Sequence, residues 1–246
     1  MSGAENGIEP TGAWTFGGDT PPGFDDHVQR SIPWYAAGHQ LVVELADHVV
    51  PVGGRCYELG CSTGTLTALL AARLEPRRAE VIGIDAEPGM IAVARGRFAG
   101  HPGLGFEVAR LEAFDPGPAD LIVSYYTLQF VRVRDRRPLL ERVRRALEPA
   151  GALLLFEKVL LPPARVQDFA AAIYHDWKRR QGFSDAEVAA KERSLRGVLT
   201  PQTHDENLAL LAEAGFGDTV AIFRWLNWEG LLVWPCPSPP GSTPAG

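Results

Sequence analysis

The segment Tyr57–Gly64 (YELGCSTG) is followed, one helix length later, by Val81–Asp85 (VIGID). An apolar strand leads into a glycine loop and a helix start, and a second strand then ends in a carboxylate. Glycines at 60 and 64 let backbone N–H groups approach a ligand closely, and the helix N-terminus adds further donors. Asp85 is placed to accept hydrogen bonds from both hydroxyls of a ribose. The pattern therefore predicts a site for a nucleoside-containing cofactor.

The spacing of the glycines indicates which cofactor. A dinucleotide site carries Gly-x-Gly-x-x-Gly, whereas this loop is Gly60-x-x-x-Gly64 with Glu58 two residues before it. Glu58 would repel a pyrophosphate but suits an ammonium group. S-Adenosyl-L-methionine has an amino acid end, a ribose and an adenine, and no phosphate. The motif therefore favours this cofactor, with S-adenosyl-L-homocysteine as product, and resembles the class I methyltransferases; the alternative is an ordinary strand–turn–helix corner.

Composition sets the remaining bounds. The chain has 246 residues, a net charge of −6 and 46% apolar residues, which suits one large domain with a full core. It lacks the long apolar run of a membrane span, and its start lacks the features of a signal peptide. The three cysteines predict neither disulfide nor metal site, so we expect a cytoplasmic protein. The acidic balance argues against nucleic acid as a partner, and an arginine-rich segment, 132–145, is interpreted as a solvated helix face.

Apolar strands alternate with amphipathic helices along most of the chain, which predicts a doubly wound α/β fold. The expected strands are Arg55–Leu59, Glu80–Ile84, Gly105–Ala109, Asp120–Tyr125, Gly151–Glu157, Val220–Asn227 and Gly230–Trp234. The expected helices are Leu41–Val49, Thr65–Leu74, Gly89–Phe98, Pro138–Leu147 and Asp205–Ala214. Trp228-Glu229 alone links the last two strands, so they must pair antiparallel. The prediction is a mostly parallel, Rossmann-like seven-stranded sheet with an antiparallel last strand, as in class I methyltransferases.

Between 162 and 200 the pattern changes. Val166–Gln181 and Asp185–Leu195 read as two helices with no strand between them, and predict a helical cap that closes an acceptor pocket. We divide the chain into a disordered segment 1–22, a domain 23–234 that includes this cap, and a disordered, Pro-rich tail 235–246.

Some residues near the strand ends are candidates for chemistry, because ligands of open parallel sheets bind there. Tyr126, or its neighbour Tyr125, should face the transferable methyl group and stabilise the sulfonium by a cation–π contact. His175, in the cap, is a candidate general base. Met90 could cover the adenine. Each has an alternative role. The tyrosine could be a core aromatic, His175 a surface histidine held by its neighbour, and Met90 a helix residue packed on the sheet.

Motifs along the chain resemble the carboxy-S-adenosyl-L-methionine synthases, which make a carboxylated cofactor for wobble-uridine modification in tRNA. The matching stretches are Phe24–Asp26, Gln29–Tyr35, Leu59–Ser62, Thr127–Phe130, Gly151–Leu153, Glu157–Lys158, His175–Arg179 and Ala214–Phe216. The resemblance implies cofactor-binding roles for Tyr35, Gly60, Cys61, Ser62, Asp85, Ala86, Arg110 and Leu111, and a homodimer formed through the cap.

Two departures from the resembling family shape the functional prediction. Tyr125 stands where the family has an asparagine, and Glu192 where it has an arginine; those two family residues hold the extra carboxylate. An arginine clamps a carboxylate with two hydrogen bonds, and Glu192 would repel it. Our main prediction is therefore a methyltransferase that acts on a small molecule, in secondary metabolism such as antibiotic biosynthesis, prefers S-adenosyl-L-methionine to its carboxylated form and does not consume prephenate. Alternatives are the prephenate-dependent synthase itself, and a cofactor-bound protein with a reaction other than methyl transfer.

Overall fold

The computed structural model describes residues 23–236, and seven strands in this range form one sheet. They are β1 (Arg55–Leu59), β2 (Glu80–Asp85), β3 (Leu104–Val108), β4 (Ala119–Tyr125), β5 (Leu147–Lys158), β6 (Phe216–Trp225) and β7 (Trp228–Pro235). Their order across the sheet is β3-β2-β1-β4-β5-β7-β6. β7 runs antiparallel to both of its neighbours, and the other pairs are parallel. The predicted mixed sheet is confirmed.

Eight α-helices accompany these strands in the described range. They are α1 (Phe24–Ser31), α2 (Tyr35–Val49), α3 (Thr65–Leu74), α4 (Pro88–Arg97), α5 (Val133–Ala146), α6 (Ala164–Arg180), α7 (Asp185–Ser194) and α8 (His204–Glu213). Alternation along the strands sends neighbouring side chains to opposite faces of the sheet. Cys56 of β1 belongs to one apolar cluster with α2 and α3, and Tyr57 belongs to the other with α5 and α8. Helices therefore cover both faces. None of the helices in this range is long and apolar enough to cross a membrane.

The first helix was missed by the sequence reading. The sequence of α1, FDDHVQRS, is polar and only eight residues long, and its buried face carries just two apolar residues, Phe24 and Val28. The next helix begins at Tyr35, six residues before the predicted Leu41. α5 begins at Val133 and contains Pro138, which had been taken as its start.

The last hairpin also differs from its prediction. Its turn is Leu226-Asn227, with Leu226 at φ 49°, and Trp228-Glu229 already belong to β7. Pro235 ends that strand opposite Phe216, so the strand reaches the first residue of the segment that was predicted to be loose. The predictions of disorder for 1–22 and 237–246 lie outside the described residues.

The arginine-rich segment is more than a solvated face. Arg136 is only 1% exposed, and its guanidinium donates to the carbonyls of Val131, Gln129 and Thr200. Arg142 donates to three carbonyls of the loop after β3, including that of Leu111. These two side chains turn inward because buried carbonyls need donors, which periodicity alone does not reveal.

Candidate functional site

A cavity of about 540 Å³ opens at the carboxyl ends of β1, β2, β4 and β5 and is walled by α1, α6 and α7. Parallel strands bring their ends together there, as expected for this sheet type. Twelve of the fourteen residues that the sequence singles out line it: Tyr35, Glu58, Gly60, Cys61, Ser62, Asp85, Ala86, Arg110, Leu111, Tyr125, Tyr126 and His175.

Gly64 and Met90 do not line this cavity. Gly64 precedes α3 with φ at +79°, and a Cβ there would lie 2.6 Å from the Phe106 ring. It serves the close packing of the loop on the sheet. Met90 is fully buried and packs with Phe24 and Val28 of α1, a packing role against this helix rather than the sheet.

The glycine loop is shaped by backbone contacts. Gly60 has φ +77°, and a Cβ there would lie 2.3 Å from Thr127 Cγ2. Its amide donates to the Ile84 carbonyl at 2.7 Å, which ties the loop to the end of β2. Position 60 thus requires glycine for conformation and for space.

Asp85 holds the other side of the loop. Its carboxylate accepts from the Ser62 amide at 2.8 Å and from the Glu87 amide at 2.9 Å. Burial raises the pKa of Asp85, while the backbone donors of Glu87, Ser62 and Ala86 oppose that rise. The side chain lines the cavity and remains an acceptor for a ribose diol.

Glu58 is a buried acid beneath the loop. It is 4% exposed and accepts a hydrogen bond from the Thr67 hydroxyl. Burial raises its pKa to about 8; the Thr67 hydrogen bond lowers it, and Asp85 raises it. Since it lines the cavity without a cation beside it, an ammonium group would supply the missing counter-charge.

The loop after β3 lines the cavity next to the glycine loop and Asp85. Leu111 is 8% exposed, and the carbonyls of Leu111 and Glu112 accept from Arg142 at 2.8 and 3.0 Å. The guanidinium of Arg110 turns to Glu112 at 3.0 Å. An adenine that lies here would meet Leu111 and the Glu112 carboxylate.

Tyr35, Tyr125 and Tyr126 form an aromatic wall after β4. The Tyr125 hydroxyl donates to the Tyr35 carbonyl at 2.8 Å, and the rings of Tyr125 and Tyr126 are 4.8 Å apart. Burial raises the pKa of all three, so they are neutral phenols near pH 7. Tyr126, at φ 58°, packs edge-on against Trp228.

His175 faces the cavity from α6. Its Nε2 lies 4.0 Å from the carboxylate of Glu192 on α7, and Glu192 also lines the cavity. The neighbour expected to hold this histidine, Asp176, instead pairs with Arg179 at 2.6 Å. His175 and Glu192 therefore face each other at the cap side of the cavity, without a hydrogen bond between them.

Sequence reasoning missed the most distinctive part of the cavity, a set of cations on the cap side. We call Lys158, Lys178, Lys191 and Arg196 the basic cluster; all four line the cavity. The available signal was the occurrence of Lys158 and Lys178 in the matching stretches at 157–158 and 175–179, but nothing in the sequence indicated that the four side chains converge.

Contacts show how confined these lysines are. Lys158 Nζ lies 4.8 Å from the Tyr174 ring and 5.4 Å from the Trp228 ring. Lys178 is 3% exposed; its Nζ is 4.2 Å from the Phe183 ring and donates to Ser31 Oγ at 3.3 Å. Burial lowers the pKa of both to about 8, and neighbouring Lys158 lowers that of Lys178 further. Burial and Lys178 lower the pKa of Lys191 to about 6.

Charge is therefore segregated within the cavity. Most acidic lining residues, Asp25, Glu58, Asp85, Glu87 and Glu112, lie around the glycine loop and the ends of β2 and β3, with Arg110 among them. Lys178, Lys191 and Arg196 lie on the cap with Glu192, and Lys158 ends β5 beside it. The acidic half fits S-adenosyl-L-methionine: Glu58 suits its ammonium, Asp85 its ribose, and the glycine loop gives its backbone close approach.

The fold agrees with comparisons to known proteins. A family model described as "Methyltransferase domain" matches residues 57–151. The YcgJ protein from Bacillus subtilis has the same fold, with a TM-score of 0.57 and 19% identity over 77% of this chain and 72% of that one. A TehB-like S-adenosylmethionine-dependent methyltransferase from Corynebacterium glutamicum gives a TM-score of 0.55 and 17% identity over 88% of this chain and 100% of that one.

Curated relatives are closer in sequence. Carboxy-S-adenosyl-L-methionine synthase from Chromohalobacter salexigens is 36% identical over 214 residues, which cover 86% of this chain and 79% of that protein. The enzyme of the same name from Nitratiruptor sp. is 36% identical over 206 residues, 83% of this chain and 86% of the relative. With the cofactor half of the cavity in place, the protein is an S-adenosyl-L-methionine-dependent enzyme of class I methyltransferase fold, and it belongs to the carboxy-S-adenosyl-L-methionine synthase family.

Proposed function

We propose that the protein is a carboxy-S-adenosyl-L-methionine synthase, which adds a carboxyl group to the methyl carbon of its cofactor. The observation that carries the proposal is the basic cluster on the cap. A plain methyl donor brings no anion to that wall, whereas a carboxylate donor and a carboxylated product both do. Lys158 and Lys178 are buried beside this part of the cavity, and a bound carboxylate would offset the cost of burying their charge, so a wall of this composition favours an anionic ligand.

S-Adenosyl-L-methionine supplies a methyl group whose C–H bonds are made acidic by the adjacent sulfonium. Overall, one C–H bond breaks and one C–C bond forms to a carboxyl carbon of the co-substrate. With prephenate as co-substrate, aromatisation to phenylpyruvate releases CO₂ and hydroxide, and the hydroxide leaves as water with the methyl proton. The chain's part is positioning: Glu58 and Asp85 orient the donor, Lys158 and Lys178 hold the carboxylates, and the tyrosine wall excludes water.

The proposal assigns less importance to Tyr125 and Glu192, the two departures from the resembling family, than the sequence prediction did. Tyr125 and Glu192 were expected to leave the extra carboxylate without donors, and Arg193, next in the chain, does not line the cavity. The basic cluster offers a different set of cations on the same cap. Glu192 raises the pKa of Lys158, whose lowering comes from burial, so this acid keeps a neighbouring cation charged. The cluster and the family membership together support the synthase over plain methyl transfer.

The test is mass spectrometry of the cofactor after incubation with S-adenosyl-L-methionine and prephenate. We expect a product heavier by one CO₂ unit, formed only with prephenate. Lys178→Met should reduce its formation at least tenfold through loss of a charge-assisted contact, and exposed Arg180→Met on the same helix should not. A protein that leaves prephenate unconsumed would contradict the proposal.

Methyl transfer to an anionic small molecule is the second candidate. The observation in its favour is the His175–Glu192 pair, because an acid-supported imidazole can take a proton from a hydroxyl or amine acceptor. Its signature is S-adenosyl-L-homocysteine formed with an acceptor and lost in His175→Gln, while prephenate remains intact.

Assembly is also part of the proposal. Val166, Phe169 and Ile173 are exposed and follow one face of α6 at helical spacing. This stripe supports the homodimer that the family resemblance implies. A cytoplasmic location, a role in secondary metabolism and the absence of nucleic acid partners stay predictions from the sequence.

A further inference from the structure

α1 forms one wall of the cavity and is held there at both ends. Phe24, Asp25, His27, Val28 and Ser31 all line the cavity. A ligand at the glycine loop is therefore covered by this eight-residue helix, and its entry depends on where the helix lies.

The N-terminal end of α1 is held by a single carboxylate. Asp25 accepts hydrogen bonds from the hydroxyls of Thr63 and Thr65, and from Arg97 of α4 at 2.5 Å. Thr63 belongs to the glycine loop and Thr65 begins α3. Three charge-assisted contacts on one side chain thus connect α1 directly to the loop that approaches the cofactor.

The C-terminal end of α1 is attached to the cap. The Tyr174 hydroxyl donates to the Ser31 carbonyl at 2.7 Å, and Arg30 Nε donates to the Gln181 carbonyl at 3.1 Å. The chain then turns through Trp34, a 61% exposed residue in the left-handed region at φ 61°. A non-glycine residue in this conformation marks a junction where the backbone changes direction.

Apolar packing beneath α1 is small. Phe24 and Val28 form a three-residue cluster with Met90, which Ile32 and Tyr35 connect to the cluster on one face of the sheet. A helix with so little core contact can undock locally without unfolding the domain.

We propose that α1 is the gate of the cofactor site, with Asp25 as its latch and the segment around Trp34 as its hinge. With the latch closed, the helix covers the glycine loop; with it open, the N-terminal end of α1 swings away while its C-terminal end stays on α6. Asp25 then controls how fast the cofactor and its product exchange. The proposal holds for carboxylation and for methyl transfer alike.

A gate has a kinetic signature that a purely structural residue lacks. Weakening the latch raises the open fraction, so association and dissociation both accelerate and the dissociation constant changes less than either rate. The measurement is surface plasmon resonance or stopped-flow binding of S-adenosyl-L-homocysteine to the full chain. For Asp25→Asn we expect both rate constants to rise roughly tenfold, with the dissociation constant within about threefold.

The chain offers a matched control. Asp26→Asn makes the same change one residue away, at a 73% exposed carboxylate whose partner, Arg30, lies on α1 itself, and it should leave both rates unchanged. Arg97→Gln, a second variant at the latch, should act in the same direction as Asp25→Asn.

A reversible lock completes the test. Asp25 Oδ2 and Thr65 Oγ1 are 3.0 Å apart, so these two positions are the ones to join, and thiol titration of the double variant Asp25→Cys/Thr65→Cys reports whether a disulfide forms across the latch. Oxidation should slow both association and dissociation, and reduction should restore them. If Asp25→Asn raises the dissociation rate alone, or the oxidised double variant exchanges ligand at the normal rate, α1 is a fixed wall and the proposal fails.

Discussion

Two buried acids at the loop, Glu58 and Asp85, differ in the partners that the protein gives them. Asp85 receives backbone donors from Ser62 and Glu87, whereas Glu58 has the Thr67 hydroxyl and no cation beside it. The Asp85 carboxylate therefore suits a neutral ligand group with hydroxyls, and the Glu58 carboxylate suits a cationic ligand group.

Cofactor binding should therefore depend on pH through Glu58. With a pKa of about 8, Glu58 carries a proton below that pH in the free protein, and a bound ammonium favours its release. Affinity for S-adenosyl-L-homocysteine should rise between about pH 6 and pH 8, by up to tenfold per pH unit. Calorimetry in buffers of different ionisation enthalpy should show proton release, and Glu58→Gln should abolish it.

The same pKa shift has an opposite consequence for stability. The unfolded chain releases this proton near the ordinary value of 4.5, and the folded, unliganded protein keeps it to about pH 8. The free energy of unfolding should thus fall as pH rises through this window, because the folded state binds more protons. Urea titrations at several pH values give the free energy of unfolding as a function of pH. In this window it should fall more steeply for the wild type than for Glu58→Gln, and an equal pH dependence in the two proteins would place the Glu58 pKa near its ordinary value.

Asp85→Ala should weaken binding of S-adenosyl-L-homocysteine by about 2 kcal/mol, since it removes charge-assisted acceptors for the ribose and for the Ser62 amide. Calorimetry provides the measurement. Glu80→Ala, at the opposite end of β2 and paired with Arg55, is the control and should bind normally. Unchanged affinity in Asp85→Ala would remove Asp85 from the site.

At the level of elements, one arginine of the arginine-rich helix α5, Arg136, is buried and has a structural role. Arg136 connects the loop after β4 to Thr200, at the end of the cap segment, by donating to the carbonyls of Gln129, Val131 and Thr200. Arg136→Met should lower the free energy of unfolding by about 3 kcal/mol, because it leaves buried acceptors unpaired. Arg137→Met, whose exposed side chain pairs with Glu141 and Glu213, should change it by less than about 0.5 kcal/mol. Denaturant titration compares the two, and equal losses would contradict the assignment.

Sequence periodicity predicts some helices and strands of this chain accurately and misses others. β1 and α3 have the predicted bounds, because apolar runs bordered by glycines define them locally. α1 was missed, because its position depends on contacts with the glycine loop and the cap, far along the chain. The basic cluster was missed for the same reason: Lys158 and Lys178 come from a strand and a helix whose approach is tertiary.

At the scale of the whole molecule, the exposed stripe on α6 makes a prediction about assembly. Light scattering should give twice the 26.7 kDa of one chain, because an apolar stripe of this kind is typical of a contact surface. Phe169→Glu should shift the protein towards the monomer, and Asp168→Lys, at an exposed position about 100° round the same helix from Phe169, should not. A wild-type monomer at every concentration would count against a dimer through the cap.

Tyr125 and Gly38 have a consequence for how this chain diverged. A Cβ at position 38 would lie 2.0 Å from the Tyr125 hydroxyl oxygen, so the phenol occupies the volume that a side chain on α2 would fill. Where position 125 is asparagine, as in the resembling family, that volume is vacant. The two sites should therefore covary among homologues: tyrosine with glycine, asparagine with a larger residue. Tyr125→Asn alone would leave a void, Gly38→Val alone would clash, and the two together should restore stability that each loses singly.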